Sequence, residues 1–200
     1  MPSNLLQVFA KAPTKGQVKT RLAADIGDAK ACEVYKELLS KTLKNGVSAD
    51  WQTEIWCSPD DKHSFFQGLS EQYNAALHIQ HDGDLGERML FALQQGRIAA
   101  QKVVLIGSDC PLMTLTTIQA AFDALDTCDV VFSPVEDGGY VLVGCNKTSE
   151  NMFEKVHWSV AETLEQNISA IKRCGFSYKL LPVLWDVDTL DDLKRWQKVS

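Results

Sequence analysis

Short apolar runs alternate along the chain with longer segments of helical periodicity. The apolar runs have the composition of buried strands, and they cover residues 5–10, 53–57, 77–80, 103–107, 129–133, 140–144 and 178–184. Between the first two runs, apolar side chains recur from Ala31 to Leu43 at the i, i+3, i+4, i+7 spacing of one helix face. The same spacing recurs from Leu85 to Leu93. The pattern therefore predicts strands and helices in alternation.

Most of these predicted strands are apolar throughout, which is typical of strands buried on both faces. A mainly parallel sheet with helices on both sides buries its strands in this way. We therefore predict an α/β fold, a three-layer α/β/α sandwich, formed by one domain over residues 1–200. The segment SPVEDGG, residues 133–139, is too short for a helix and rich in turn residues. An antiparallel or irregular excursion is expected there.

Composition narrows the classes of partner. The chain has 200 residues, 45% of them apolar, and a formal net charge of −6. A nucleic-acid partner requires a spread of uncompensated cations, so we expect none. The sequence has no run of about eighteen apolar residues, and residues 1–13 lack the basic start and apolar stretch of a signal peptide. We expect a cytoplasmic protein without a membrane partner.

The cysteines and histidines do not form a recognisable metal motif. Six cysteines stand at wide, irregular spacings without a CxxC pair, which predicts buried reduced thiols rather than a zinc cluster or a disulfide framework. Cys110 is expected to be a packed thiol, not a nucleophile. His78 and His81 point to opposite faces of a strand, so we reject them as a metal site.

The segment KAPTKGQVKTRL, residues 11–22, concentrates four cations directly after the first predicted strand. Open α/β sheets bind ligands at this position, outside the carboxyl ends of the strands. Gly16 would let the backbone approach a ligand closely, and N–H groups at the start of the following helix would attract an anion. The segment has neither the GxGxxG nor the Walker A spacing. We predict that Lys19 and Arg21 bind a diphosphate or triphosphate, whereas Lys15 is interpreted as a solvated loop residue.

Carboxylates follow later predicted strands. Asp109 comes directly after the apolar run VVLIG, on the sheet edge where the cation-rich segment is predicted. This residue could hold Mg²⁺ together with substrate phosphates, or form an Asx turn ahead of a helix capped by Thr114. Asp186 and Asp188 lie on one side of an extended chain, and either could share a metal with Asp109. The stretch TLDD after Asp188 predicts a capping box for the last helix.

Six stretches, in chain order, resemble a glycosyltransferase-A-like (GT-A) family associated with radical-SAM and arsenosugar gene neighbourhoods. They are FAKAPTKGQVKTRL, GDLGERM, LIGSDCPLM, EDGGYVLVG, WSVAETLEQN and DVDTLDDL, and the similarity runs over nearly the whole chain. The cation-rich segment and the final VDT, residues 187–189, are also distantly similar to segments of two other enzyme groups. These groups are the nucleotidyltransferases that activate sugar acids and the guanylyltransferases of deazaflavin cofactor synthesis. The resemblance implies a GT-A fold, a nucleoside diphosphate bound by the cation-rich segment, and a divalent metal, Mg²⁺ or Mn²⁺.

The resemblance also implies roles for particular positions. It assigns phosphate contacts to Lys11, Gly16, Lys19 and Arg21. It assigns the metal ligands to Asp109 and Asp188. Asp84 and Arg88 are candidates to contact the nucleobase. Alternatively, Asp84 is a helix N-cap and Arg88 forms a surface ion pair. Glycosyltransferases of this fold usually carry DxD, whereas this chain has GSD with only the last acid. That departure weakens the sugar-transfer assignment but not the nucleotide assignment.

The EDGGY stretch follows the fifth predicted strand and is expected to face the cation-rich segment across a cleft. Gly138 and Gly139 permit close approach of a substrate, and Asp137 could accept a proton from an attacking hydroxyl. Tyr140 and His157 are further candidates for contact with an acceptor. The alternative interpretation is a glycine-rich turn and a structural histidine, neither with a ligand.

The site residues together with the family resemblance therefore predict a metal-dependent transferase that uses a small-molecule acceptor, and the resemblance implies a nucleotide sugar as its donor. The metal and Lys19 or Arg21 would stabilise negative charge on the departing diphosphate. Two alternatives stay open. One is nucleotidyl transfer from an NTP with release of pyrophosphate, and the other is a non-catalytic nucleotide-binding protein on the same fold.

Overall fold

The computed structural model describes residues 3–199 and shows strands and helices in alternation. The strands are β1 (Asn4–Lys11), β2 (Gln52–Ser58), β3 (Ala76–Ile79), β4 (Lys102–Ile106), β5 (Val130–Pro134), β6 (Tyr140–Cys145) and β7 (Tyr178–Leu180). The helices are α1 (Thr20–Ile26), α2 (Asp28–Gly46), α3 (Ser64–Tyr73), α4 (Leu85–Ala99), α5 (Leu115–Ala124), α6 (Thr163–Arg173) and α7 (Leu190–Gln197). Each apolar run in the sequence overlaps a strand, and both periodic segments lie within helices.

The strands form one mixed sheet in the order β3-β2-β1-β4-β6-β5-β7. β6 pairs antiparallel with β4 and with β5, while the other neighbouring strands pair in parallel. The reversal occurs because the EDGG stretch joins β5 to β6 as a tight turn, in which the Val135 N–H donates to the Gly139 carbonyl (3.0 Å). The predicted antiparallel excursion is confirmed.

Helices cover both faces of the sheet because alternate strand residues are apolar on both sides. Leu6 and Val8 of β1 face a buried cluster that includes residues of α2, α3 and α5. Leu5 faces the opposite cluster, which includes residues of α4 and α6. A third cluster joins α1 and α2 to α7 through Trp185 and Val187. The three-layer α/β/α sandwich with a mainly parallel sheet is therefore confirmed.

The last strand is shorter than predicted. β7 covers only Tyr178–Leu180, whereas the apolar run reaches residue 184. Pro182 has no N–H to continue the ladder, so regular pairing stops before it. The chain still follows β5, because the Leu184 N–H donates to the Pro134 carbonyl (2.8 Å). The polypeptide therefore runs along the carboxyl edge of the sheet, where residues 186–188, the DVD segment, lie.

The predicted thiols and helix caps are present. All six cysteines are free; five are buried and Cys174 is half-buried. The Thr114 hydroxyl accepts from the Thr117 N–H (3.2 Å) and caps α5. Thr189 and Asp192 form the predicted capping box of α7. Within residues 3–199, no helix combines the length and apolar character needed to cross a bilayer.

Candidate functional site

The carboxyl edge of the sheet holds a cleft with two adjoining hollows. β1 and β4 end at this edge, and the antiparallel β6 begins there, with Leu142 opposite Ile106. We call one hollow, of about 520 Å³, the loop hollow; its lining includes Lys11, Lys19, Tyr35, Gln80, Arg88 and Ser108. We call the other, of about 550 Å³, the apolar hollow; its lining includes Met89, Asp137, Tyr140, Trp158, Val160 and Asp186. Both share Phe9, Arg21, Leu85, Gly107, Asp109 and Asp188.

Lys19 forms ion pairs with both predicted metal ligands at the junction of the hollows. Its Nζ lies 2.9 Å from Asp109 Oδ2 and 2.8 Å from Asp188 Oδ1. The Lys19 side chain is only 5% exposed, while the two carboxylates are about one-third exposed. Burial works to lower the pKa of Lys19, but the charges of Asp109 and Asp188 and the hydrogen bonds to them outweigh it and raise the pKa above its usual range. Lys19 is therefore a charged residue held between two acids.

Asp186 joins the same acidic cluster. One carboxylate oxygen from each of Asp109, Asp186 and Asp188 lies within 4.8 Å of the others. Burial, followed by the charges of Asp109 and Asp188, raises the pKa of Asp186 to about 6. Oxygens bound to one octahedral Mg²⁺ are about 3 to 4 Å apart, given metal–oxygen distances of about 2.1 Å. The spacing and the oxygen-only donor set fit a hard divalent cation.

Two local structures bring these acids together. The Val187 N–H donates to the Asp109 carbonyl (3.1 Å), which fastens the DVD segment to the loop after β4. The Asp188 N–H donates to Asp192 Oδ2 (3.2 Å), so the capping box of α7 also orients Asp188. The predicted proximity of Asp109 to the DVD segment is confirmed. The sequence alone could not choose between Asp186 and Asp188, and the structure brings both into the cluster.

The cation-rich segment contains a strained residue just before α1. Lys19 has φ 48° and ψ 47°, the left-handed conformation that non-glycine residues adopt at a cost of about 1 to 3 kcal/mol. α1 begins at the next residue, Thr20. The Arg21 side chain is 71% exposed, and its Nη1 lies 3.6 Å from Asp188 Oδ2. Lys19 at the N-cap and Arg21 in the first turn of α1 therefore both reach the acidic cluster.

Tyr35 of α2 supports the floor of the loop hollow. Its hydroxyl accepts a hydrogen bond from the Lys11 N–H (2.7 Å) and lies 3.2 Å from Ser108 Oγ. Burial raises the pKa of Tyr35 to about 12, so the hydroxyl stays neutral. This contact connects the end of β1 to the loop that carries Asp109. Sequence reasoning assigned Tyr35 only to the core face of a helix.

Other predicted phosphate and base contacts lie in different positions. Lys11 is exposed and lines the loop hollow, as does Arg88, whose Nε donates to the Gly83 carbonyl (2.9 Å). Gly16 has φ 76° and, among the described residues, is outside the lining of both hollows. Asp84 is also outside that lining: its Oδ1 accepts from the Glu87 N–H (2.9 Å). The N-cap alternative for Asp84 is therefore confirmed, and a base contact for Arg88 stays a prediction.

The EDGG turn forms one wall of the apolar hollow. Asp137 is exposed, lines the hollow with Gly139, and accepts a hydrogen bond from the Gly139 N–H (3.0 Å). Gly138 has φ 89°, and a Cβ at this position would lie 1.9 Å from the Ala161 carbonyl oxygen. Tyr140 lines the hollow, while its hydroxyl donates to Asn167 Oδ1 (2.8 Å). Gly138 therefore serves packing against residue 161, and the Tyr140 hydroxyl is held by Asn167.

The WSVA stretch, residues 158–161, also lines the apolar hollow and lies beside the EDGG turn, and sequence reasoning assigned no role to it beyond the family resemblance. His157 itself is exposed, with Nδ1 3.2 Å from Gln166 Oε1, and it is outside the lining found among residues 3–199. Its contact with an acceptor stays a prediction.

The rejected candidates have structural partners. His78 stacks on Trp56 at 4.9 Å, while His81 lies 4.8 Å from the ring of Phe91. Burial raises the pKa of the Cys110 thiol to about 11, which disfavours the thiolate that a nucleophile requires. These contacts agree with a structural interpretation of all three residues.

Comparison with solved structures relates the fold to nucleotide-dependent transferases. A structure named "putative nucleotide-diphospho-sugar transferase", from Desulfovibrio desulfuricans G20, is similar with a TM-score of 0.87 and 29% identity, covering 96% of this chain and 85% of that one. The inositol-1-phosphate CTP transferase from T. maritima has a TM-score of 0.61 and 15% identity, covering 98% and 95%. Rv0371C from Mycobacterium tuberculosis H37Rv, in complex with manganese, has a TM-score of 0.53 and 14% identity, covering 99% and 98%. These similarities support the GT-A type of sandwich.

Comparison of sequences gives the family. A search of curated proteins found no match to this chain. The family model described as "Uncharacterized protein conserved in bacteria (DUF2064)" matches residues 42–160, which is more than half of the 200 residues. The chain therefore belongs to the DUF2064 family.

Proposed function

We propose that this protein is a metal-dependent transferase that uses a nucleotide sugar as donor and a small molecule as acceptor. The observation that carries the proposal is the meeting of Lys19 with Asp109 and Asp188 between the two hollows. This junction pairs a hard-cation donor set with cations suited to a diphosphate. The similarity to a structure named as a nucleotide-diphospho-sugar transferase supports the same class of donor.

Asp109 and Asp188 would hold the divalent cation, with Asp186 within reach of it. When bound, Mg²⁺ or Mn²⁺ supplies charge neutralisation for the diphosphate. Lys19 and Arg21 stabilise the negative charge that grows on the leaving diphosphate oxygen. The bond from the anomeric carbon to that oxygen breaks, and its electron pair leaves with the nucleoside diphosphate. The oxygen of an acceptor bound in the apolar hollow bonds to the anomeric carbon. The proton of that acceptor hydroxyl passes to Asp137, which lines the same hollow.

The two hollows divide these tasks. The loop hollow contains Lys11, Lys19 and Arg88 and suits the nucleoside diphosphate. The apolar hollow contains Asp137 and receives the transferred group and the acceptor. The acidic cluster lies at their common boundary, which is where the diphosphate must end and the reacting carbon must begin.

Nucleotidyl transfer from an NTP is the second candidate. The observation in its favour is that the paired acids come from GSD and from the distant DVD segment, not from one DxD motif. This is the arrangement that the resemblance to sugar-acid nucleotidyltransferases implies. Similarity of fold to a CTP transferase is compatible with it.

One experiment separates these reactions. The protein is incubated with a panel of NTPs and nucleotide sugars, with and without Mg²⁺ or Mn²⁺, and products are identified by mass spectrometry. We expect slow, metal-dependent cleavage of a nucleotide sugar to nucleoside diphosphate and free sugar, since water can replace the acceptor. Release of pyrophosphate from an NTP would establish the second candidate instead. Absence of turnover with every donor would support a non-catalytic nucleotide-binding protein.

A further inference from the structure

The apolar hollow has more aromatic and aliphatic residues in its lining than the loop hollow beside it. Aromatic and aliphatic side chains form much of its wall, namely Phe9, Leu85, Met89, Tyr140, Trp158 and Val160. A hollow of about 550 Å³ is large enough for a small organic molecule, since such sites span roughly 300–1,000 Å³. Its composition favours a ligand with an apolar face.

Apolar side chains are exposed at this hollow. Leu85 is 45% exposed and Val160 is 41% exposed, and both line it. Trp158 is half-buried, with its ring 6.1 Å from that of Phe153. Because apolar surface gains about 25 cal/mol per Å² when it leaves water, a ligand that covers these side chains is stabilised by contact with them.

The charges of the apolar hollow are mainly negative. Its lining contains the four carboxylates of Asp109, Asp137, Asp186 and Asp188. The cation found in this lining is Arg21. Lys19 compensates Asp109 and Asp188 from the loop hollow. In the protein without bound metal, Asp137 and Asp186 are therefore the carboxylates of this lining that no ion pair found in residues 3–199 compensates, and like charges repel a ligand that brings a further carboxylate or phosphate.

The walls are held in place by hydrogen bonds within the described chain. The Thr163 hydroxyl donates to the His157 carbonyl (2.9 Å), which fixes the start of the WSVA stretch. The Leu164 N–H donates to the Gly138 carbonyl (3.0 Å) and joins that stretch to the EDGG turn. A binding surface that is already ordered loses little conformational entropy on binding. The selectivity of the hollow is therefore set by its shape and charge in the free protein.

We propose that the apolar hollow is the acceptor site and that it selects an acceptor without negative charge, which packs an apolar or aromatic face on Trp158 and directs a hydroxyl to Asp137. This inference rests on the proposed function for the role of the bound molecule. The selectivity itself follows from the composition and charge of the hollow.

The test compares two probes with the same aromatic group and different charge. The probes are 4-nitrophenyl β-D-glucoside, which is neutral, and 4-nitrophenyl β-D-glucuronide, which carries a carboxylate. Affinity is measured by ligand-observed NMR with Mn²⁺-free protein, so that no donor and no turnover are needed. We expect the glucoside to bind about fivefold more tightly, as one uncompensated like charge at short range predicts in a partly solvated site.

Three variants locate the preference. Trp158→Ala should weaken glucoside binding about fivefold, the scale of one aromatic contact. Val160→Lys adds a cation at an exposed lining position, and it should shift the ratio of glucuronide to glucoside affinity about threefold toward the glucuronide. Ile98→Ala, at a position 67% exposed and outside the lining, is the matched control and should change neither affinity.

The outcomes are distinct from those of the donor experiment. Glucuronide binding equal to or tighter than glucoside binding would overturn the inference, as would undetectable glucoside binding or insensitivity to both Trp158→Ala and Val160→Lys. If no nucleotide donor turns over but the glucoside preference is measured, the proposed transfer fails while the selectivity of the hollow stands.

Discussion

Lys19 Nζ lies 2.8 Å from Asp188 Oδ1, although the two residues are 169 positions apart in the chain. The same nitrogen is 2.9 Å from Asp109 Oδ2, so one buried ammonium neutralises part of a three-carboxylate cluster. The position of this nitrogen marks where Asp109 and Asp188 jointly stabilise positive charge. A cation that binds these acids must compete with Lys19 or displace its side chain toward the loop hollow.

The first prediction concerns the metal ligands. Asp109→Asn and Asp188→Asn should each abolish the Mg²⁺-dependent part of nucleotide binding, because each removes a charged oxygen from a hard-cation site. Asp186→Asn should keep most of it, since Asp186 makes no contact with Lys19 among the hydrogen bonds and ion pairs found in residues 3–199. Calorimetric affinity for the best nucleotide, with and without Mg²⁺, measures the effect. Loss of the metal effect in Asp186→Asn alone would reverse the assignment.

The second prediction separates two roles of Lys19. Lys19→Met should raise the affinity for Mn²⁺ without nucleotide, because a competing buried cation is removed. The same variant should weaken nucleoside diphosphate binding by about 1.5 to 3 kcal/mol, the scale of a hydrogen bond to a charged group. Both affinities are measured by calorimetry. Lys15→Met, an exposed lysine of the same segment outside the lining, is the control and should change neither.

Arg21 should contribute to nucleotide binding without the competing role. Arg21→Ala should weaken nucleoside diphosphate binding, because the guanidinium lines both hollows and reaches Asp188 from solvent. Its effect on Mn²⁺ affinity should be smaller than that of Lys19→Met, since the Arg21 side chain is 71% exposed. Unchanged nucleotide affinity in both Arg21→Ala and Lys19→Met would contradict the phosphate role of this segment.

The third prediction uses the pKa of Asp186, which burial and neighbouring acids raise from 3.8 to about 6 in the folded protein. A carboxyl whose folded-state pKa is raised destabilises the fold above that pKa, and this cost vanishes as the pH falls to the unfolded-state value. In the presence of a chelator, Asp186→Asn should be more stable than the wild type at pH 7.5. The gain should be about 1 kcal/mol after allowance for solvent screening of this partly exposed group.

The pH dependence provides the check. Denaturant unfolding at a series of pH values should show the advantage of Asp186→Asn shrinking between pH 6 and pH 4, where wild-type Asp186 takes up its proton. Asp191→Asn, at a side chain 92% exposed on α7, should give no stabilisation. An advantage that is constant with pH would show that titration of Asp186 is not its cause.

The fourth prediction tests the wall of the apolar hollow. Gly138→Ala should destabilise the protein by about 2 kcal/mol or more, because φ is 89° and the new Cβ would meet the Ala161 carbonyl. Gly175→Ala is the matched control, with φ 72° and no atom within 4 Å of the new Cβ. It should cost only about 1 kcal/mol, the conformational part alone. Equal losses of stability in the two variants would show that contact with Ala161 is not important.

Local sequence determined the elements of this fold. The apolar runs predict strands because a strand buried on both faces must be apolar throughout, and helix spacing predicts α2 and α4. Turn residues in EDGG predict the reversal between β5 and β6, and the TLDD stretch predicts its capping box. These features depend on neighbours in sequence, so the sequence is enough to find them.

Part of the site could be predicted for the same reason. Lys19, Arg21 and Asp109 lie in the loops that follow predicted strands or at the start of the next helix, and parallel strands bring such positions to one edge of a sheet. The sequence alone thus predicted that cations and acids meet and that Asp186 or Asp188 joins Asp109, and the resemblance to a GT-A-like family chose Asp188 of the two.

Only the tertiary structure decided how these residues contact one another. The hydrogen bond from the Val187 N–H to the Asp109 carbonyl fixes which side chains of the DVD segment face the cluster, so Asp186 joins it together with Asp188. Asp84 is used by a helix cap, and the walls of the apolar hollow come from Phe9, Leu85 and residues 158–161. Such contacts join distant segments, and their distances depend on how the whole sheet twists and packs, which no local pattern of residues specifies.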